Sequence, residues 1–381
     1  PQASWIPFEI RRAYGLPLRS DTEAITAYHF DRLFHLADEV HAVCDPGGGD
    51  GTGEASRFLT QWKHELDGNS GTRMDHRSVS AMFPVRSVPA ITVAKDAHVL
   101  TRLDAMAQRG FSPSALATWL RCPLDFYFAK VLGVEAPEVL NEQLGSNILG
   151  EAVHHVLEQV FGRMIGGPLT PEILRQQAAS IPQALRAVLG ERFPSDVLDR
   201  GHFRLRAEMA QQAVASYLLN EAERCSQETT TLLSVEEDIS AVLSDGTRLL
   251  GRCDRIEERD GVTCILDLKT GNVQARDLLL NGLEREHFGP DQRYALQLLV
   301  YAWIHLQERP DLPVVRAGII PLQRTTLAHG LWLQVGGSAD IGRDQLPAIA
   351  ALLKTLIAEL RDPSIPFTHD PESRWCACCV G

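Results

Sequence analysis

The sequence predicts a mixed α/β or α+β sandwich, and three features carry that reading. Helical periodicity and capping signals dominate the region before about residue 225. Three strand-like segments then follow one another, joined by two Asp-Gly turns. A long apolar helix and further strands come next, so the order α, β, β, β, α, β calls for a mixed sheet covered by helices.

Each element follows from local chemistry. In AITAYHFDRLFHLADEVHAV, from Ala24, the residues Ile25, Tyr28, Phe30, Leu33, Phe34 and Ala37 recur at helical spacing. DPGGGDGTGE, from Asp45, breaks that pattern with five glycines and predicts a surface loop. It is no phosphate cradle, because no Lys-Ser or Lys-Thr follows and no strand leads in. An amphipathic pattern resumes at Ala55, residues 67–90 read as a connection, and a domain boundary falls near residue 100. Ser112 and Pro113 form an N-cap with proline at the first helical position, and the helix through ALATWLRCPLDFYFAKVL is kinked or broken at Pro123. Two more amphipathic helices start at Ile148 and Phe203. From about Leu232 an antiparallel meander runs through TLLSVEEDISAVL, TRLLGRCDRIEER and VTCILDLKT, turning at Asp245-Gly246 and Asp260-Gly261. A helix from Asp291, strands from Val314 and His329, and a last helix over about Gln345 to Arg361 complete the chain.

Composition narrows the function classes. The 381 residues are enough for two or three domains, and 44% hydrophobic with 23% charged residues is ordinary globular composition. Lys plus Arg number 37 against 49 Asp plus Glu, a net charge of −12, so any nucleic-acid surface has to be local. The longest apolar run, Ala295 to Ile304, is too short to span a bilayer and contains Gln297 and Tyr301. The N-terminus lacks a secretory pattern, and Pro1 in place of Met reads as a cut in a longer chain. Eight scattered cysteines do not form a disulfide framework and point to a reducing cytoplasm.

The chemistry concentrates in the meander. Asp267 and Lys269 are two apart in one strand and share a face, while the neighbouring strand brings Asp254 alongside. Two carboxylates suit a hard divalent cation such as Mg²⁺ or Mn²⁺, and a lysine beside it orients or deprotonates water and stabilises charge on phosphorus. The chemistry expected is metal-assisted phosphodiester hydrolysis. Glu236 and Glu237, in the preceding strand, are candidates to assist or simply a solvated face.

GRCDRIEERDGVTCILDLKTG resembles the active-site hairpin of RecB-type nucleases in the PD-(D/E)XK superfamily, through its D-x12-D-x-K pattern. LGEAVHHVLEQVF resembles the helix that gives the metal a histidine, at His154, with His155 on another face. QLLVYAWI resembles the Q-x-x-x-Y helix, at Gln297 and Tyr301, which lie i, i+4 as DNA-positioning groups. FSPSALATWLRCPLDFYFAKVLGV resembles the opening of the nuclease domain. The resemblance implies a PD-(D/E)XK fold with His154, Asp254, Asp267 and Leu268 as the metal set and Lys269 acting on water or phosphate.

The N-terminal part, WIPFEIRRAYGLPLRSDTEAITAYHFDRLFHLADEV and SRFLTQW, is similar to the end of the helicase-like region of AddB-type helicase–nuclease subunits, although no Walker A sequence is present. That implies residues 1–100 as a helicase-like remnant plus linker and 101–381 as the nuclease domain, with a helical lobe at about 112–225 and a core at about 232–361. In such nucleases one Cys before the core and three after it hold a [4Fe–4S] cluster. Cys122 matches the first, and Cys376 and Cys379 stand at C-x-x-C spacing with Cys378 between. The family's last Cys usually falls several residues later, whereas this sequence stops at Gly381, so either the fourth ligand lies past it, or Cys378 substitutes, or no cluster forms; Cys44, Cys225, Cys253 and Cys264 read as ordinary buried or strand residues.

Three functions fit. The first is a metal-dependent DNA exonuclease acting on single strands delivered by a helicase partner at broken duplex ends, with Arg121, Lys130, Arg252, Arg255 and Lys269 as a local positive track. The others are a catalytically silent DNA-binding or scaffolding subunit, and an RNA or small-molecule phosphodiesterase on the same fold.

Overall fold

Mixed hydrophobic patterning of this kind needs a sheet with helices on both faces, and the computed structural model has that arrangement. It describes residues 8–16, 18–34, 37, 39–43, 56–66, 75, 77, 91–134, 144–323, 330–370 and 376. The chain forms two compact units, Pro1–Arg86 and Ser87–Gly381.

The first unit holds α1 (Phe8–Ala13), α2 (Arg19–Phe34) and α3 (Arg57–Leu66). The helix expected from Ala24 starts earlier, at Arg19, where Asp21 caps its first turn through the Leu18 N–H, and it ends at Phe34. The glycine-rich loop from Asp45 lies outside the described residues.

The second unit begins with β1 (Thr92–Val93) and α4 (Ala97–Arg109), a helix N-capped by Asp96 that runs across residue 100. Next come α5 (Pro113–Arg121), capped by Ser112, and α6 (Pro123–Phe126), which continues as a π-helical turn over Tyr127–Leu132. The helix breaks at Cys122, one residue before Pro123, because proline cannot donate and its ring excludes helical geometry in the residue ahead. The lobe continues with α7 (Ser146–Gly162), α8 (Pro171–Gly190), α9 (Ser195–Leu198) and α10 (Gly201–Cys225). Helix α8 was not foreseen in the pattern, where Pro182 in its interior argues against a helix.

The strands are β2 (Thr230–Val242), β3 (Arg248–Arg259), β4 (Val262–Lys269) and the short β5 (Leu279–Leu280). After α11 (Arg293–Glu308) come β6 (Val314–Pro321), β7 (Leu331–Trp332), β8 (Gln334–Val335) and β9 (Ile341–Gly342), then α12 (Leu346–Arg361) and β10 (Phe367–Thr368). The main sheet has the order β2-β3-β4-β6-β7, with β9 also on β6. β2, β3 and β4 form the antiparallel meander, and β4 pairs parallel with β6, so the sheet is mixed. The parallel pair requires a crossover, which α11 supplies.

Two apolar clusters cover the sheet. One packs α4, α5, α11 and α12 against it through Leu103, Trp119, Leu299 and Leu353. The other packs α7, α8 and α10 through Val156, Ile181, Leu218 and Leu266. The β3–β4 pairing therefore ends, next to Asp254 and Asp267, where α7 and α11 both reach the sheet.

Candidate active site

The site forms where β3 and β4 part. Their pairing runs from Arg259↔Val262 to Arg255↔Leu266, which places Asp254 next to Asp267 one step further along. There the Asp254 Oδ2 accepts a hydrogen bond from the Leu268 N–H at 2.6 Å, so the carboxylate takes up a backbone donor at the strand ends. On the other side of β3, the pairs Val235↔Arg255 and Glu237↔Cys253 bracket Glu236 and Asp254. A register irregularity between Leu232 and Ser234 precedes this point, and Glu236 has φ of 48°, a left-handed conformation unusual for a residue with a side chain.

Helix α7 supplies His154, whose Nδ1 lies 3.6 Å from both Glu236 Oε1 and Asp254 Oδ1. These three side chains offer ligand atoms all within 4.8 Å of one another. Its neighbour His155 points elsewhere, to Gln159 and Glu158. Lys269 Nζ lies 2.6 Å from Asp267 Oδ2, as expected for i, i+2 side chains on one strand face. Helix α11 supplies Gln297, which donates to Asp267 Oδ1 at 2.9 Å and to the Tyr301 hydroxyl at 2.8 Å. That helix can come close because Gly251 lies beneath Tyr301: a Cβ there would sit 2.5 Å from the ring.

His154, Asp254, Asp267, Lys269, Gln297 and Tyr301 thus form one connected group, and Leu268 joins it through its backbone N–H. Glu236 is the addition, while Glu237 turns away to accept from Ser234. Access is graded: the side chain of His154 is 28% exposed, that of Asp254 11% and that of Asp267 2%.

The electrostatics match the crowding. Burial, reinforced by the charge of Asp267, lifts the Asp254 carboxyl to about 7. Burial alone would lower the His154 imidazole, but Glu236, Asp254 and Asp267 outweigh it and raise its pKa above the usual histidine value. Lys269 is likewise pushed down by burial and pulled up more strongly by Asp267, so it remains an ammonium. For Glu236, burial is outweighed by His154 and Arg252, and the carboxyl is lowered. The donor set of imidazole and carboxylate oxygens, with two acids held together against their own repulsion, fits a divalent cation of the Mg²⁺ or Mn²⁺ kind.

A buried charge network lies next door. Arg255 is fully buried; it donates to the Tyr217 hydroxyl at 2.6 Å, pairs with Glu221 Oε2 at 2.8 Å and with Glu257, and lies over the Phe161 ring at 4.4 Å. This overturns the expectation that Arg255 joins a DNA-binding track: its guanidinium is buried against Glu221 and Tyr217 of α10 and Phe161 of α7. Of the other cations proposed for that track, Arg121 pairs with Asp125 and Arg252 with Glu236.

A second cluster joins the two ends of this unit. Cys122, fully buried, lies 3.6 Å from His369 Nδ1, and Cys376 completes a group whose ligand atoms are within 4.8 Å of each other. Two thiols and an imidazole suit a soft metal or cluster iron. His369 was missed in the sequence because no spacing marks it. Cys378 and Cys379 lie outside the described residues.

Fold and site together define a nuclease-type α/β sheet with an acidic, lysine-containing site where β3 and β4 part. A family model for the PD-(D/E)XK nuclease superfamily matches residues 110–380, and the chain belongs to that superfamily. A search of the curated proteins found no match. Superfamily members are typically metal-dependent nucleases, so the domain is a nuclease domain by class and DNA is the ligand that class implies. Among the described residues no helix is long and apolar enough to cross a membrane.

Proposed function

We propose that this chain is a Mg²⁺-dependent DNA exonuclease domain of an AddB-like helicase–nuclease subunit. It hydrolyses phosphodiester bonds in single strands taken from broken duplex ends, in the cytoplasm and beside a helicase partner. The observation that carries the reading is the group His154, Glu236 and Asp254, whose ligand atoms lie within 4.8 Å of one another, beside the Asp267–Lys269 pair at the end of β4. The partner and the repair role rest on the sequence resemblance of residues 1–100.

In this reading His154, Asp254 and Asp267 hold the cation, with Leu268 at the strand end between them and Glu236 as a further acid. When bound, the cation supplies Lewis-acid activation of the phosphodiester and of water. Lys269, kept protonated by Asp267, places positive charge where negative charge builds on the phosphoryl oxygens and orients the attacking water. Gln297 holds Asp267 in place from α11, and Tyr301 fixes Gln297 in turn. Cys122 and Cys376, with Cys379 from the sequence, would hold a [4Fe–4S] cluster in the intact protein; the cluster would tie the end of α5 to the C-terminal segment.

The test is Mg²⁺-dependent degradation of linear DNA by the full chain, lost in Asp267→Ala and in Lys269→Ala. Undiminished cleavage by both variants would sink the assignment. Folded wild-type protein that binds DNA without cutting it would indicate a silent scaffold, and cleavage of RNA with DNA untouched would shift the substrate class.

A further inference from the structure

The residues just ahead of Gln297 on α11 carry a feature that the hydrolytic machinery does not use. Tyr294, Gln297 and Tyr301 stand at i, i+3 and i+7 and so share one helical face. Gln297 reaches Asp267, and that face therefore adjoins the acidic site. One turn earlier, at the N-terminal end of α11, Tyr294 is half-buried against the core and within electrostatic range of Lys269.

Arg293 is tied to this tyrosine rather than to an acid. Its guanidinium carbon sits 4.5 Å from the Tyr294 ring centroid, and its Nη2 donates to the Tyr294 hydroxyl at 3.0 Å. The side chain is exposed, and among the described residues no carboxylate lies within ion-pairing distance of it. Contrast Arg252 at the other rim, which is paired with Glu236 and Asp238. In a chain with a net charge of −12, an exposed guanidinium left free of carboxylates and held by an aromatic ring is a ready anion contact. A phosphodiester strand entering a cleft lined by three acids needs such a contact beside the site, because the acids themselves repel it.

We propose that Arg293 binds a backbone phosphate of single-stranded DNA flanking the scissile phosphate, and that Tyr294 is the positioning residue that aims it. The proposal rests on the nuclease reading above and adds the point where the strand is gripped. Arginine suits the task because its planar fork matches phosphate oxygens, and stacking on Tyr294 removes much of the side chain's freedom in advance.

The experiment measures binding of a fluorescein-labelled oligothymidylate to the full chain by anisotropy, with Ca²⁺ in place of Mg²⁺, across a salt series. Removing a single arginine–phosphate pair from a single-stranded complex should lower the slope of log K against log[salt] by about 0.7. Arg293→Gln is expected to weaken binding roughly five- to tenfold at low salt, with that drop in slope. Arg293→Lys should keep the slope and part of the affinity. Tyr294→Ala should weaken binding and raise KM for cleavage more than it lowers kcat, and Tyr294→Phe, which keeps the ring, should recover most of the loss. Thermal melting of Arg293→Gln, an exposed substitution, should match wild type.

Two failures are separable. If wild type neither binds nor cuts DNA, the nuclease reading is wrong. If wild type binds and cuts while Arg293→Gln keeps its affinity and salt slope, the nuclease reading stands and the grip is not at Arg293.

Discussion

Asp254 and Arg255 are consecutive in β3, yet they belong to charge clusters of different make-up. Around Arg255, three carboxylates (Glu221, Glu228, Glu257) meet three guanidiniums (Arg224, Arg255, Arg259) in a buried and matched network. Around Asp254, three carboxylates (Glu236, Asp254, Asp267) meet one ammonium and one imidazole, with Arg252 at the exposed rim. The consequence shows in two carboxyls of comparable burial. For Glu221, burial is overcome by Arg255 and Arg224, and the pKa falls to about 2, whereas Asp254 rises to about 7. Burial alone does not distinguish a structural acid from a functional one. What distinguishes them is whether the protein itself supplies the counter-charge or leaves it to be bound from outside.

The largest effect that tests this contrast is on rate. Asp254→Asn should reduce DNA cleavage by at least about a hundredfold while leaving the fold intact, because the amide oxygen can still accept from Leu268 and a crowded negative charge is removed. Melting temperature equal to or above wild type, together with the rate loss, is the expected pair of results. A large drop in melting temperature would mean that Asp254 is structural and would erase the distinction.

The matched cluster should respond the other way. Glu221→Gln leaves Arg224 and Arg255 short of negative charge in a dry interior, and breaking one side of such a pair costs about 3–5 kcal/mol. Urea unfolding is the measurement, and a change below about 1 kcal/mol would show that water reaches the network. The folded fraction of this variant should keep its specific cleavage rate.

Much of the acidic site was legible because its carriers are periodic. Asp267 and Lys269 obey the two-residue strand period, Asp254 follows from the Asp260-Gly261 turn that sets the hairpin register, and Gln297 with Tyr301 obeys the helical one. Glu236 was one of two equal candidates, because its direction depends on the irregularity near Ser234 and on its positive φ, which alternation does not encode. Arg255 was misread for a related reason: an arginine in a charged-looking strand gives no sign of its partners Glu221 and Tyr217, which come from α10, more than thirty residues earlier. His369 escaped notice because its closeness to Cys122 is set by tertiary packing alone. Short-range spacing was readable from the residues, and of the contacts between distant segments only those that the family resemblance names, such as His154 with Asp254 and Cys122 with Cys376, were legible.

Metal binding sharpens the comparison at a smaller scale. A cation that binds only the folded cleft stabilises it by about 2.7 kcal/mol at one hundred times its Kd. Mg²⁺ should therefore raise the melting temperature of wild type and of Glu221→Gln alike, and should do so little in Asp254→Asn. Equal shifts in all three proteins would indicate binding elsewhere on this acidic chain.

The smallest effect concerns acid, and its sign follows from Glu221. The group titrates near 4.5 when unfolded and near 2 in the native network, so the native state holds its proton less tightly. Its stabilising contribution is complete above pH 4.5 and is lost as pH falls from there towards 2. Wild-type stability should accordingly decline through that window. Glu221→Gln has no carboxyl to titrate at this position, so it should lose less stability between pH 5 and pH 3 even though it starts lower. Asp254 contributes in the opposite sense: raised in the fold, it favours folding more as pH drops below 7, so Asp254→Asn should steepen the acid decline. Urea midpoints of the three proteins at pH 7, 5 and 3 compare the two clusters directly, and parallel declines would show that neither carboxyl is set apart by its surroundings.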